Sequence, residues 1–235
     1  MKRLIRNVVM IALLASVGLV PPAAAVPPAY VGGQFRYWVF TDHNDLRDVL
    51  AYWVPGPFHV TLEYWDFLDS DTEDQFRPEV GIHLRDRRQS VYTVQWRHER
   101  DDERFTFGTD QILSSHVVGR LEASPLVFPD STLWVLDGGA DYYWGSWNFA
   151  SATLVHDPRD GGLWSVPLRV RLATEGGDWV QFSLVPASQR SLGGAIDVRW
   201  RGVRLGVERN NRYDFTSVDN VIFTIGYEKF LGPKP

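Results

Sequence analysis

The chain has 235 residues, 44% hydrophobic and 14% aromatic, with ten Trp, two Met and no Cys. That apolar content can build a core and excludes general disorder, and the missing Cys excludes a disulfide scaffold, a thiolate nucleophile and a Cys-ligated metal. A net charge of −5 lacks the basic surplus of a nucleic-acid binder, and a mean hydropathy of −0.21 is too polar for a helical membrane bundle.

The first element reads as an export signal. Lys2, Arg3 and Arg6 precede an apolar run from Val8 to Val20, Pro21-Pro22 ends it, and Ala23-Ala24-Ala25 supplies the small residues of a cleavage site. As a helix that run would span only about 20 Å, short of a hydrocarbon core of about 30 Å. Cleavage after Ala25 leaves residues 26–33 as a short linker, 34–231 as one domain and 232–235 as a tail. The exported chain keeps 21 Lys+Arg against 29 Asp+Glu, a net of −8. Both Met leave with the signal, so the mature protein contains no sulfur, which suits an oxidising compartment.

From there on, alternation with period two dominates, the pattern of strands with one apolar and one polar face. Candidate strands fall near 34–42, 47–54, 58–67, 76–85, 90–98, 103–109, 114–124, 132–143, 146–156, 163–173, 178–186, 193–200, 203–210 and 219–230. In the tenth, Trp164, Val166, Leu168, Val170 and Leu172 share one face while Ser165, Arg169 and Arg171 take the other. Only 44–54 could pass for a short helix. The connections alternate between a short series (55–57, 86–89, 110–113, around Gly145, 174–177, 201–202) and a mostly longer, more polar one (68–75, 125–131, 157–162, 187–192, 211–218). Short turns on one side and longer loops on the other characterise an up-and-down barrel of the outer membrane. The fold class expected is therefore all-β: an antiparallel up-and-down transmembrane β-barrel of twelve to fourteen strands, with a soluble β-barrel or sandwich as the alternative.

Alternation alone does not say which face is wet, because a soluble barrel and a membrane barrel give similar strings. Two features favour the membrane. Trp and Tyr suit bilayer interfaces, and Trp134, Tyr142, Tyr143, Trp147, Trp164, Trp200 and Tyr227 fall near strand ends. The polar faces carry Glu63, His83, Arg85, Arg97, Arg120, Glu122, Arg169, Arg171, Asp197, Arg199, Arg204 and Glu208, a set in which Lys is absent. Arg is the better partner for multidentate carboxylate pairing, so these charges (His83 aside) are candidates for a pore lining of paired ions. With seven Arg against four acids, they imply a weak anion preference if the bore is open.

The last strand, 220–231, carries alternating aromatics to Phe230. With Gly139-Ala140-Asp141-Tyr142-Tyr143-Trp144-Gly145, His156-Asp157-Pro158-Arg159 and Asn210-Asn211-Arg212-Tyr213-Asp214-Phe215, the chain resembles small outer-membrane β-barrel proteins of Gram-negative bacteria. These occur alone or behind tetratricopeptide repeats as surface-exposed barrels. The resemblance implies residence in the outer membrane, contact with its lipid, and insertion by the barrel-assembly machinery. The role expected is structural or that of a small pore. The alternatives are a periplasmic barrel binding an apolar ligand and a lipid-modifying barrel enzyme.

Catalytic motifs are sparse. Ser114, Ser115 and His116 adjoin, and His156 precedes Asp157 and Asp160, but strand neighbours point to opposite faces and no Gly-x-Ser-x-Gly elbow occurs. Asp69, Asp71, Glu73 and Asp74 crowd one loop without the Gly and distal Glu of an EF-hand. The six His show no metal spacing. No cofactor, metal, nucleic-acid partner or enzymatic activity is expected.

Overall fold

The computed structural model describes residues 30–41, 45–54, 57–68, 71, 73–85, 90–99, 102–127, 131–144, 148–158, 162–188, 191–210 and 219–231. The expected export signal lies outside these residues. The described strands are Tyr30–Phe40 (β1), Leu46–Val54 (β2), Phe58–Phe67 (β3), Gln75–Arg85 (β4), Val91–Glu99 (β5), Asp102–Ile112 (β6), Val117–Val127 (β7) and Thr132–Tyr143 (β8). They continue with Phe149–Asp157 (β9), Leu163–Ser165 (β10), Leu168–Ala173 (β11), Trp179–Val185 (β12), Gly193–Trp200 (β13), Val203–Arg209 (β14) and Asn220–Phe230 (β15). No described residue is helical, so the weak helical pattern at 44–54 resolves as β2.

Successive strands pair antiparallel in chain order, except that β10 and β11 both pair with β9. β15 pairs with β1 over their full length, from Tyr30↔Phe230 to Phe40↔Asn220, which closes the sheet. β10 and β11 occupy one position: Leu163 faces Asp157 and Leu168 faces Ala152 on β9, a single continuous register. Pro167 interrupts the strand because it has no N–H to give, although its carbonyl still accepts from Thr153 N at 3.0 Å. The barrel therefore has fourteen positions.

Following the registers once around the ring returns to β1 fourteen residues further along. Equal strand number and shear give a tilt of about 35° and a Cα radius of about 13 Å. An eleven-residue strand at that tilt rises about 30 Å.

Both terminal strand ends, Tyr30 and Phe230, lie at one mouth with the β2–β3, β4–β5, β6–β7, β8–β9, β11–β12 and β13–β14 connections. The tightest is Arg201-Gly202, whose positive φ angles of 51° and 88° fit a two-residue hairpin. The opposite mouth does not carry uniformly longer loops. Only two residues separate β5 from β6 and four separate β7 from β8, against ten between β14 and β15. One turn also sits later than expected: β6 runs on to Ile112, and Ser114 Oγ accepts from His116 N and Val117 N, so β7 starts at Val117 rather than 114.

The two faces differ sharply. Outward positions carry apolar side chains open to the surroundings, among them Val49, Leu121, Leu154, Phe182, Ile196 and Leu205. Ionisable side chains on the described outer face stand only near strand ends, as Arg47, Asp66, Glu103, Arg209 and Lys229 do. Inward positions are mostly polar, with a minority of buried apolar side chains such as Trp38, Leu46, Val135, Val155 and Ile222. This is the reverse of a soluble barrel, in which the apolar face is enclosed.

Candidate pore lining

Strand parity sends the expected charges to the inside. Glu63, Arg97, Arg120, Glu122, Arg169, Arg171, Asp197, Arg199, Arg204 and Glu208 all share register rows with inward neighbours. Arg85 pairs with Val91 at the end of β4; its side chain lies outside the described residues. The full described inner face holds nine Arg and eleven carboxylates. Arg36, Arg77 and Arg104 join the Arg set, and Asp48, Glu79, Asp110, Asp137, Asp141, Asp157 and Glu228 join the acids. A surplus of Arg therefore does not describe the wall.

Most of the Arg side chains are clamped. Arg36 Nε lies 2.8 Å from Asp48, and its Nη2 pairs with Glu63. Asp48 also accepts from Trp38 Nε1 at 2.7 Å. Arg77 reaches Glu63 at 3.5 Å and lies 3.9 Å over the Trp65 ring. Arg97 pairs with Glu79 at 2.6 Å, Arg120 with Asp141 at 2.8 Å and Asp110 at 3.3 Å, Arg204 with Asp197 at 2.8 Å, and Arg199 with Glu228 at 3.2 Å. Such pairing keeps charges on a crowded inner wall from standing uncompensated.

Two further groups complete the lining. Near the terminal mouth, Glu79, His59, His83 and Thr93 form a hydrogen-bonded chain, with steps of 3.2, 2.9 and 3.1 Å. Gly81 makes it possible, since a Cβ there would collide with the His59 ring. Near the opposite mouth, Trp38, Phe40, Leu46, Trp65 and Ile222 form a buried apolar cluster on the inner wall, flanked by Phe67. Alternation predicts polar residues in this phase, so the cluster is absent from the sequence reading. Its signal is that Trp38 shares parity with Gln34 and Arg36, and Trp65 with Glu63. An aromatic in the polar phase of a barrel strand packs inside. Replacing Trp65 with Ala is expected to cost about 3 kcal/mol, as large-to-small changes in packed sites do, and to raise the single-channel conductance by withdrawing bulk from the wall. Unfolding in urea and bilayer recordings check the two effects.

The outer aromatics form two rows. Trp53, Tyr92, Tyr142, Trp200 and Tyr227 stand near the terminal mouth, and Tyr37, Tyr64, Trp134 and Trp164 near the other. At the latter mouth Tyr37 donates to Asp45 and Tyr64 to Asp74, each at 2.5 Å. Tyr143 does not belong to this set. It adjoins Tyr142 on β8, so it faces inward, where its hydroxyl donates to Asp141 at 3.3 Å. Trp147 lies outside the described residues.

The catalytic candidates do not converge. Ser114 is spent on its turn, and His116 Nδ1 lies 3.1 Å from the Tyr143 carbonyl. His156 packs outside against Trp164 at 4.2 Å between ring centroids, while Asp157 is buried inside. Asp69 and Asp160 lie outside the described residues. Among the described residues, no three His, Asp or Glu are grouped to hold a metal ion.

No protein-family model matches the chain, and no curated protein matches it in sequence. Solved structures do match in fold. The KdgM porin superposes with a TM-score of 0.53 at 6% identity, covering 84% of this chain and 98% of the porin. The KdgM porin in complex with disordered oligogalacturonate gives 0.52 at 7%, covering 84% and 98%. A mutant of the Rh. blastica porin gives 0.50 at 8%, covering 86% and 99%. The chain is thus an all-β, closed, antiparallel fourteen-strand barrel, and its fold is similar to that of porins.

Proposed function

We propose that the chain is an outer-membrane barrel forming a small pore for polar solutes, exported by its N-terminal signal and inserted by the barrel-assembly machinery. The observation that carries this is the division of faces: an apolar outside between two Trp/Tyr rows, and an inside of paired charges. The barrel height of about 30 Å matches a hydrocarbon core, and interfacial Trp and Tyr at both ends suit its two borders. Lipid contacts the outer face, and the terminal mouth faces the periplasm. With eleven carboxylates against nine Arg among the described inward residues, selectivity rests on which charges stay unpaired rather than on the total. A functional pore of this kind partitions with the outer membrane and migrates faster on gels unboiled than boiled. Release into the osmotic-shock fluid, with no shift on boiling, would overturn the proposal.

A further inference from the structure

We infer that Arg169 and Arg171 form a binding site for a dicarboxylate on the inner wall, an inference that rests on the pore reading. Unlike Arg36, Arg77, Arg97, Arg120, Arg199 and Arg204, neither has a salt bridge to a carboxylate among the described residues, and the two stand together on one strand. The register places Ser151 and Ser183 on either side of Arg169, and Phe149 and Gln181 on either side of Arg171. Arg171 donates from Nε and Nη2 to Gln181 Oε1 at 3.1 and 2.8 Å, and its guanidinium lies 5.0 Å over Phe149 and 4.3 Å over Trp179. A neutral amide and two ring faces fix the group in place without neutralising it.

Two of the nearby acids are already engaged. Asp197 is held by Arg204, and Glu228 by Arg199 and by Tyr52 at 3.0 Å. Asp137 acts on Arg169 through space, without a salt bridge between them among the described residues. Ser151 Oγ, buried beside Arg169, has no hydrogen-bond partner among the described residues. Both Arg side chains are partly exposed on the inner face.

Spacing selects the ligand. Residues i and i+2 of a strand lie about 6.6 Å apart on one face, so the two Arg side chains leave β11 one above the other along a strand inclined to the pore axis. Each takes one carboxylate through charge-assisted hydrogen bonds. A short chain bearing a carboxylate at each end engages both at once, whereas a monocarboxylate engages one.

The test uses the full-length protein in planar bilayers, with succinate and acetate as probes of the current carried by KCl at low ionic strength, where screening is weak. Succinate is expected to halve the current at a concentration about tenfold or more below that of acetate, the factor one additional charge-assisted contact supplies. Arg169→Gln and Arg171→Gln, each checked for the shift on boiling, should each bring the two concentrations together, and Arg171→Lys should restore part of the difference. A wild-type channel that conducts but does not distinguish succinate from acetate overturns the site and leaves the pore standing. Discrimination that survives both Gln variants also overturns it. A wild-type protein with no conductance removes the pore reading and the site with it.

Discussion

Replacing Arg36 with Met is expected to destabilise the barrel by about 3–5 kcal/mol, the cost of breaking a buried ion pair, leaving Asp48 uncompensated and Glu63 with Arg77 alone. Asp48 is fully buried and Glu63 nearly so. Both point at Arg36, and among the described residues Asp48 has only Trp38 Nε1 as a further donor. Without Arg36, two carboxylates face one another beneath Trp38 and Trp65, whose rings lie 5.8 Å apart. The double variant Arg36→Met, Asp48→Asn, which leaves Glu63 paired with Arg77, is expected to recover most of the loss, because the penalty comes from unpaired charge rather than lost volume. Urea unfolding in lipid vesicles, followed by Trp fluorescence, gives both values. Equal stability of Arg36→Met and wild type would mean that water, not the network, solvates these groups.

A charge placed on the outer face is expected to cost nearly as much. Ile196 stands at mid-height on β13, pointing outward between Phe182 and Val207 in register, and is more than half exposed. Arg at the midplane of a membrane barrel costs about 2–4 kcal/mol, so Ile196→Arg should unfold at lower urea and lose much of the fast-migrating band. Gln95→Arg, an inward position at the middle of β5 between Gly81 and Thr106 in register, is the matched control and should assemble normally. Indifference at Ile196 together with damage at Gln95 would reverse the faces.

The alternation of residues such as Trp164, Val166 and Leu168 with Ser165, Arg169 and Arg171 makes the strands legible in the sequence, and fourteen candidate strands correspond to the fourteen positions. Parity also places the wall charges on one face, since period two leaves a strand residue no other choice. Which charge meets which is not legible, because pairing depends on register between strands far apart in sequence. Arg36 meets Glu63 across 27 residues, and nothing local signals it. The full composition of the wall escapes for the same reason: Asp110 and Asp141 are unremarkable until β6, β7 and β8 align them on Arg120. Tyr143 goes astray at a strand end, where proximity to the rim hides the fact that neighbouring residues face opposite ways. Pro167 breaks a strand whose side-chain pattern is unbroken, since the missing N–H leaves no mark on alternation.

The most direct test of the central claim is single-channel recording of the purified, refolded protein in symmetrical KCl. Stepwise, reproducible current increments are the predicted result, from a bore of charged side chains within a lipid-facing barrel. Protein that shows the shift on boiling, inserts into the bilayer and passes no current would contradict it, leaving a barrel closed by its own side chains.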